Sequence, residues 1–204
     1  LKMALQFFYN KAQHKSVKVI AFEEAYHGDT FGAMSVGARS VFSKPFDDLL
    51  FEVRRLPRPN FHNHDEVLSA FETELKSGYV AAFIFEPLVM GTAGMKMYDA
   101  SILDDLMKMA KDNGVILIAD EVMTGFGRTG KHFACEYLKV FPDIMCLSKG
   151  ITGGFLPLGV TLASDDIYKA FYSDDRSKTF FHGHSYTGNP IACAAANASL
   201  KLLL

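Results

Sequence analysis

Asp120 and Lys149 are the residues of this 204-residue sequence whose surroundings point most directly to chemistry. Each stands just past a short apolar run, at 115–119 and 144–147, of the length and composition of a strand. In open α/β sheets, ligands bind in the crevice beyond the carboxyl ends of the strands, so such positions are the first candidates for a site. Tyr26-His27-Gly28-Asp29 follows a third apolar run and joins them. Lys149 is trailed by Gly150, Gly153 and Gly154, where a backbone can approach a ligand closely. A lysine partly desolvated there loses proton affinity and becomes an amine nucleophile able to form a Schiff base. Asp120 and Val122 lie two apart, so continued extended geometry would set a carboxylate and an apolar contact on one face, suited to a flat heterocycle. A structural ion pair between Asp120 and Lys149 is the competing reading from position alone.

Short β-branched runs alternate with helical patterns along the whole chain, which predicts an α/β fold with a mostly parallel sheet sandwiched by helices. Strands are expected at 17–22, 80–85, 115–119, 144–147 and 158–163, with a further extended stretch at 50–56. Helices are expected at 1–13, from Asp29 or Thr30 to Val36, from an Asn63 cap with Glu66 at the capping-box position to Lys76, and from Asp99 to about Asp112. Further helices are expected around 132–138, at 165–172, and after Pro190, which suits a first turn. In the fourth of these, Ile102, Leu103, Leu106, Met109 and Ala110 share one face. Residues 91–98 read as a loop.

With 21 Lys plus Arg against 23 Asp plus Glu, the net charge of −2 argues against a nucleic-acid binder or a polybasic membrane-surface protein. The apolar runs fall well short of the roughly 20 residues that span a bilayer. Cys135, Cys146 and Cys193 occur singly, without CxxC spacing, so they read as buried small hydrophobes in a reducing, cytoplasmic setting. The paired histidines at His62 and His64 and at His182 and His184 lack a matching acid or cysteine cluster, so no metal is expected. Gly125-Phe126-Gly127-Arg128-Thr129-Gly130 follows an acidic strand end and lacks the onward acid of a dinucleotide fingerprint. Both termini stop inside apolar helical patterns, which reads as a piece of a longer polypeptide.

Five stretches, taken in order, resemble the class III pyridoxal-phosphate aminotransferases. They are Tyr26-His27-Gly28, Glu86-Pro87, Asp120-Glu121-Val122 with Gly125-Phe126-Gly127-Arg128-Thr129-Gly130, Ser148-Lys149-Gly150, and His182-Gly183-His184-Ser185 with Gly188-Asn189-Pro190. The resemblance implies fold type I and pyridoxal 5'-phosphate as cofactor. It makes Lys149 the lysine that binds the cofactor covalently and then shuttles a proton. Asp120 pairs with the pyridine nitrogen in that reading, and a carboxylate there favours the protonated, more electron-withdrawing ring. Tyr26 and Val122 would press the two faces of the ring. His27 would organise backbone nearby, and Ser185 would reach the cofactor phosphate of a neighbouring subunit in a homodimer. Asp29, Arg128, Gly183 and Tyr26 resemble residues on the substrate side.

Glu86 matches the family's Glu-Pro motif, whereas the Gln common before that motif's Gly is Met90 here. The likeness is greatest to the branch that transaminates 8-amino-7-oxononanoate with S-adenosylmethionine as donor, in biotin biosynthesis. Other branches act on ornithine, γ-aminobutyrate or diamines, and a non-catalytic piece that keeps the fold is the remaining alternative. By this resemblance residues 1–204 form a cofactor-binding large domain, with an N-terminal segment and a C-terminal small domain lying outside them.

Overall fold

The computed structural model describes residues 1–13 and 18–204. Its centre is a six-stranded sheet built from β1 (Lys18–Phe22), β2 (Arg54–Leu56), β3 (Val80–Phe85), β6 (Ile116–Asp120), β7 (Ile144–Leu147) and β8 (Val160–Ala163). A separate antiparallel ribbon, β4 (Val89–Met90) with β5 (Lys96–Met97), rises from the end of β3. The sheet order is β2-β1-β3-β6-β7-β8; all neighbours are parallel except β8, which runs antiparallel to β7 along the edge. The chain steps outward from β1 to β2, then returns past β1 to continue through β3, β6 and β7. That reversal puts the topological switch point between β1 and β3, where a crevice opens beyond the carboxyl ends.

Alternation along the strands divides the core in two. Ile20, Phe22, Phe83, Phe85 and Leu117 face α3 (His64–Lys76) and α4 (Ala100–Asp112), while Val19, Ala21, Ile84, Ile116 and Ile118 face the opposite layer with α1 (Lys2–Asn10) and α5 (Asp165–Phe171). Both faces are covered, which is why these strands read as unbroken apolar runs. Phe83 meets Phe22 edge-on at 5.3 Å and Phe71 at 5.1 Å between ring centres. Each such fully buried side chain stabilises the sheet by about 1.5–3 kcal/mol.

The expected elements are present, with corrected ends. The strand at 17–22 begins at Lys18, because Val17 lies outside the described residues. The first helix stops at Asn10, and α2 (Phe31–Val36) starts after Thr30. Asn63 precedes α3 without forming the capping box: its Oδ1 accepts from the Asn60 amide at 2.7 Å and its Nδ2 donates to the Arg58 carbonyl at 3.0 Å. The side chain is committed to the Pro-bounded turn before the helix. Met107 joins the fully buried face of α4, and Met109 packs half-buried against the same core. Only Arg54–Leu56 of the 50–56 stretch pairs into the sheet. Residues 91–98 contain a ribbon strand, and the 132–138 helix is a single tight turn at Ala134–Tyr137. Asn189 caps α6 (Pro190–Leu203), its Oδ1 accepting from the Ile191 amide at 2.9 Å.

Candidate active site

Four acidic or imidazole groups converge on the switch-point side of the sheet. Asp120 is the last residue of β6, and its side chain is 11% exposed. Its Oδ2 lies 2.7 Å from His27 Nδ1, and its Oδ1 accepts from the Val122 amide at 3.1 Å. An ionised carboxylate only accepts hydrogen bonds, so Nδ1 is the protonated nitrogen of His27. The other nitrogen, Nε2, is buried without a partner among the described residues. His27 therefore serves Asp120 directly, in contrast to the backbone role expected of it. Val122 also departs from expectation. The extended backbone ends at Asp120, and Val122 enters a turn closed onto the Asp120 carboxylate, so the two side chains do not continue a strand face.

Glu86 follows β3 and is buried. Its Oε1 accepts from the Tyr26 amide at 3.1 Å and its Oε2 from the Gly91 amide at 2.9 Å. Burial raises its carboxyl above the ordinary range; these two amides and His27 pull it back, and Asp120 pushes it up. The Tyr98 hydroxyl donates to the Glu86 carbonyl, and the Tyr98 amide donates to Leu88 O at 3.1 Å. Glu121 is wholly buried. It accepts from Thr124 Oγ1 at 2.6 Å and the amides of Ala134 at 3.1 Å and Cys135 at 2.7 Å. One carboxylate thus pins the loop that carries Arg128. Its signal was visible in the sequence only as an acid next to Asp120.

Tyr26 is 40% exposed and lines a cleft with Gly28, Asp29, Thr92 and Ala93. Partial burial and the Asp29 carboxylate hold its hydroxyl above the ordinary phenol pKa. A second, wider cleft of about 960 Å³ runs along Leu88, Met95, Met97, Tyr98, Met123 and Arg128. Lys149 and Arg128 line a third, with Phe126, Gly150 and Ser199.

Lys149 sits just past β7, whose Cys146 is in register with Asp120 on the neighbouring strand, about 4.8 Å away across a parallel pair. Its backbone φ is +43°, a left-handed conformation that costs a non-glycine residue about 1–3 kcal/mol and clusters at functional sites. Gly150 makes the turn possible, because a Cβ there would stand 2.8 Å from Phe126 Cβ. Lys149 is exposed and its amine has no ion pair or hydrogen bond among the described residues. The partly desolvated lysine expected from sequence is therefore not formed within this chain, and neither is an ion pair with Asp120, whose partner is His27. Arg128 and Asp29 are likewise exposed.

Gly183 and Ser185 lie in an exposed loop before α6 and are not brought to the others. The His184 amide bonds Thr187 Oγ1 at 3.0 Å within this loop, and Lys2 Nζ of α1 reaches His182 Nδ1 at 3.3 Å. Of the cysteines, Cys135 is buried and Cys146 half-buried, but Cys193 is exposed, because it falls on the open face of α6.

The family model described as aminotransferase class III matches residues 1–204, the whole of this sequence. The chain belongs to the class III aminotransferases. Among its aminotransferase relatives is the adenosylmethionine-8-amino-7-oxononanoate aminotransferase of Synechococcus elongatus, 54% identical over 212 residues that cover 100% of this chain and 50% of the relative. The enzyme of the same name from Staphylococcus aureus is 45% identical, covering 99% and 48%. Among solved aminotransferases, the one of that name from Methanocaldococcus jannaschii superimposes with a TM-score of 0.91 at 44% identity, over 98% of this chain and 47% of that one. An amine transaminase from an uncultivated Pseudomonas species, solved in its PLP-bound form, gives 0.91 at 33% identity, over 99% and 49%. The chain thus spans about half the length of the relatives it matches. Class III aminotransferases are pyridoxal-phosphate enzymes, and the α/β architecture described above is theirs.

Proposed function

We propose that this chain is the cofactor-binding large domain of a longer enzyme that moves an amino group from S-adenosylmethionine to 8-amino-7-oxononanoate, giving 7,8-diaminononanoate for biotin synthesis. Relatives that carry this name are 40–54% identical over 99–100% of the chain. The observation that carries the chemistry is the Asp120 carboxylate, buried at a strand end, oriented by His27 at 2.7 Å and left with acceptor capacity to spare.

These residues fit pyridoxal phosphate. Asp120 offers a carboxylate to a ring nitrogen, and the buried His27, whose Nδ1 lies 2.7 Å away, fixes that carboxylate's orientation. When bound, the cofactor supplies a carbonyl that takes up amines covalently and a protonated ring that draws electrons from the adjacent carbon. Lys149 Nζ is the amine that would hold that carbonyl and afterwards accept and return the proton at the substrate carbon. Tyr26 and Val122 would bound the ring, and Ser185 would meet the phosphate held by a second subunit of a homodimer. Asp29, Arg128 and Gly183, with Tyr26, would face the substrates. The free cysteines suit a cytoplasmic setting. No helix among the described residues is long and apolar enough to cross a membrane.

The test is to load the full-length enzyme with pyridoxal phosphate, reduce with borohydride, and locate the adduct by peptide mass spectrometry. One adduct, on Lys149, is expected; scattered surface labelling would defeat the assignment. Turnover of 8-amino-7-oxononanoate with S-adenosylmethionine, and none with ornithine or γ-aminobutyrate, is the expected substrate profile.

A further inference from the structure

Glu86 occupies the hinge between two walls of the site. One is the turn after β1, which carries Tyr26 and His27. The other is the segment from Leu88 to Tyr98, whose ribbon lines the wide cleft on one side and, through Thr92 and Ala93, the Tyr26 cleft on the other. The two segments are distant in sequence, and each presents a backbone N–H that points at a different oxygen of the same carboxylate, at 3.1 Å for Tyr26 and 2.9 Å for Gly91. The Tyr98 hydroxyl on the Glu86 carbonyl closes the far end of the ribbon segment onto the same residue. At Gly91 the backbone passes close to Met123, and a Cβ there would stand 2.4 Å from Met123 Sδ, so any larger residue would have to displace that thioether. Met123 belongs to the loop that begins at Asp120, so three strand ends meet at this contact.

We propose that Glu86 is a positioning residue for transamination, a two-oxygen clamp that fixes the Tyr26 ring and the His27–Asp120 pair against the ribbon lining the wide cleft. A carboxylate is the side chain that offers two acceptors and no donor; an amide of the same shape turns an N–H2 toward one of the backbone N–H groups. Displacement of the ribbon by an occupant of the wide cleft is transmitted to Tyr26 through this single group. The inference rests on the cofactor reading above.

The decisive variant is Glu86→Gln in the full-length enzyme, compared with wild type for pyridoxal phosphate affinity and for the visible circular dichroism of the bound cofactor. Loss of one hydrogen bond to a charged acceptor predicts a rise in dissociation constant of about tenfold to a hundredfold, with a weaker band per bound cofactor. A residue that only stabilises the fold would lower the melting temperature and leave that band unchanged. Tyr98→Phe removes the hydroxyl bond without touching the carboxylate, and should give the same change at about twofold to tenfold; it decides the matter if Glu86→Gln does not fold. Wild-type affinity within twofold and an unaltered band in the folded variants would overturn the clamp while leaving the cofactor reading intact. Failure of the wild-type enzyme to bind pyridoxal phosphate would overturn both.

Discussion

The carboxyl edge of the sheet has a finished side and an open side. Around β3 and β6, Glu86, Asp120 and Glu121 are buried, and together their carboxylates accept seven hydrogen bonds or ion pairs from backbone, hydroxyl and imidazole groups. By contrast, Lys149 just past β7 and Arg128 in the loop after β6 are exposed and have no ion pair or hydrogen bond among the described residues, and the exposed loop of Gly183 and Ser185 is tied by the His184 amide to Thr187 Oγ1 and by Lys2 to His182. Burial of a charge is tolerated only where partners are already in place, so the acids could be sequestered within this chain. On the proposed reading, the cations await partners: a cofactor, substrates and a second subunit. The acids are held by this chain's own donors, and the amine has little scaffold among the described residues.

That contrast can be broken most directly at its two ends. Lys149→Ala should lower turnover of the full-length enzyme by about a thousandfold or more while moving stability by no more than about 0.5 kcal/mol, as for an exposed side chain without partners. A large loss of melting temperature would show that the open side is structural after all. Asp120→Asn should slow proton abstraction about a hundredfold, with a smaller effect on cofactor occupancy. Equal proton-transfer kinetics in variant and wild type would remove the ring-nitrogen role.

Glu121→Gln probes the finished side alone. It turns a donor toward a buried N–H or hydroxyl and should cost about 1–3 kcal/mol, seen as a melting temperature several degrees lower. Thiol alkylation at pH 8 sharpens the comparison further. Burial, and then the Asp120 charge, push the Cys146 thiol up to about 11, and burial with Glu121 raises Cys135 beyond it. Iodoacetamide should therefore label the exposed Cys193 first. Protection of Cys193 in the full-length enzyme would locate a covered face on α6.

The smallest effect is expected at Glu24, whose carboxylate bridges Lys96 at 2.6 Å and Arg58 at 3.0 Å. The hydrogen bond from Lys96 is the main cause of its lowered pKa. The stabilisation is present above the ordinary glutamate range and is lost as pH falls through that lowered pKa. Because the bridge is exposed, Glu24→Gln should cost at most about 0.5 kcal/mol at neutral pH, and the difference should vanish in acid.

The sheet was legible because two-sided burial writes itself as plain apolar runs, as at 80–85, and the helices because their buried faces recur at helical spacing. Asp120 and Lys149 were legible from their places after such runs. What the sequence hid was commitment. Asn63 sits before a helix in a capping pattern, but its side chain is taken by Asn60 and Arg58. Val122 looks like the next residue of a strand, yet its amide closes a turn onto Asp120. Glu121 reads only as an acid next to Asp120, yet it is consumed by three donors from residues 124–135. In each case local pattern lost to a hydrogen bond with a partner that only the fold brings near. The lysine failed differently: the walls expected to desolvate it are absent among the described residues, and it stands exposed.

Parallel order has a consequence for assembly in time. Among the described residues, none of the parallel strands β1, β2, β3, β6 and β7 pairs with its neighbour through a tight turn, so each pairing must wait for a crossover and bear its loop-closure entropy. During synthesis, Tyr26 and His27 emerge first and Lys149 emerges on the order of ten seconds later. The nascent chain can settle its acids before its reactive amine exists, and uptake of cofactor at Lys149 would then report that the sheet has closed.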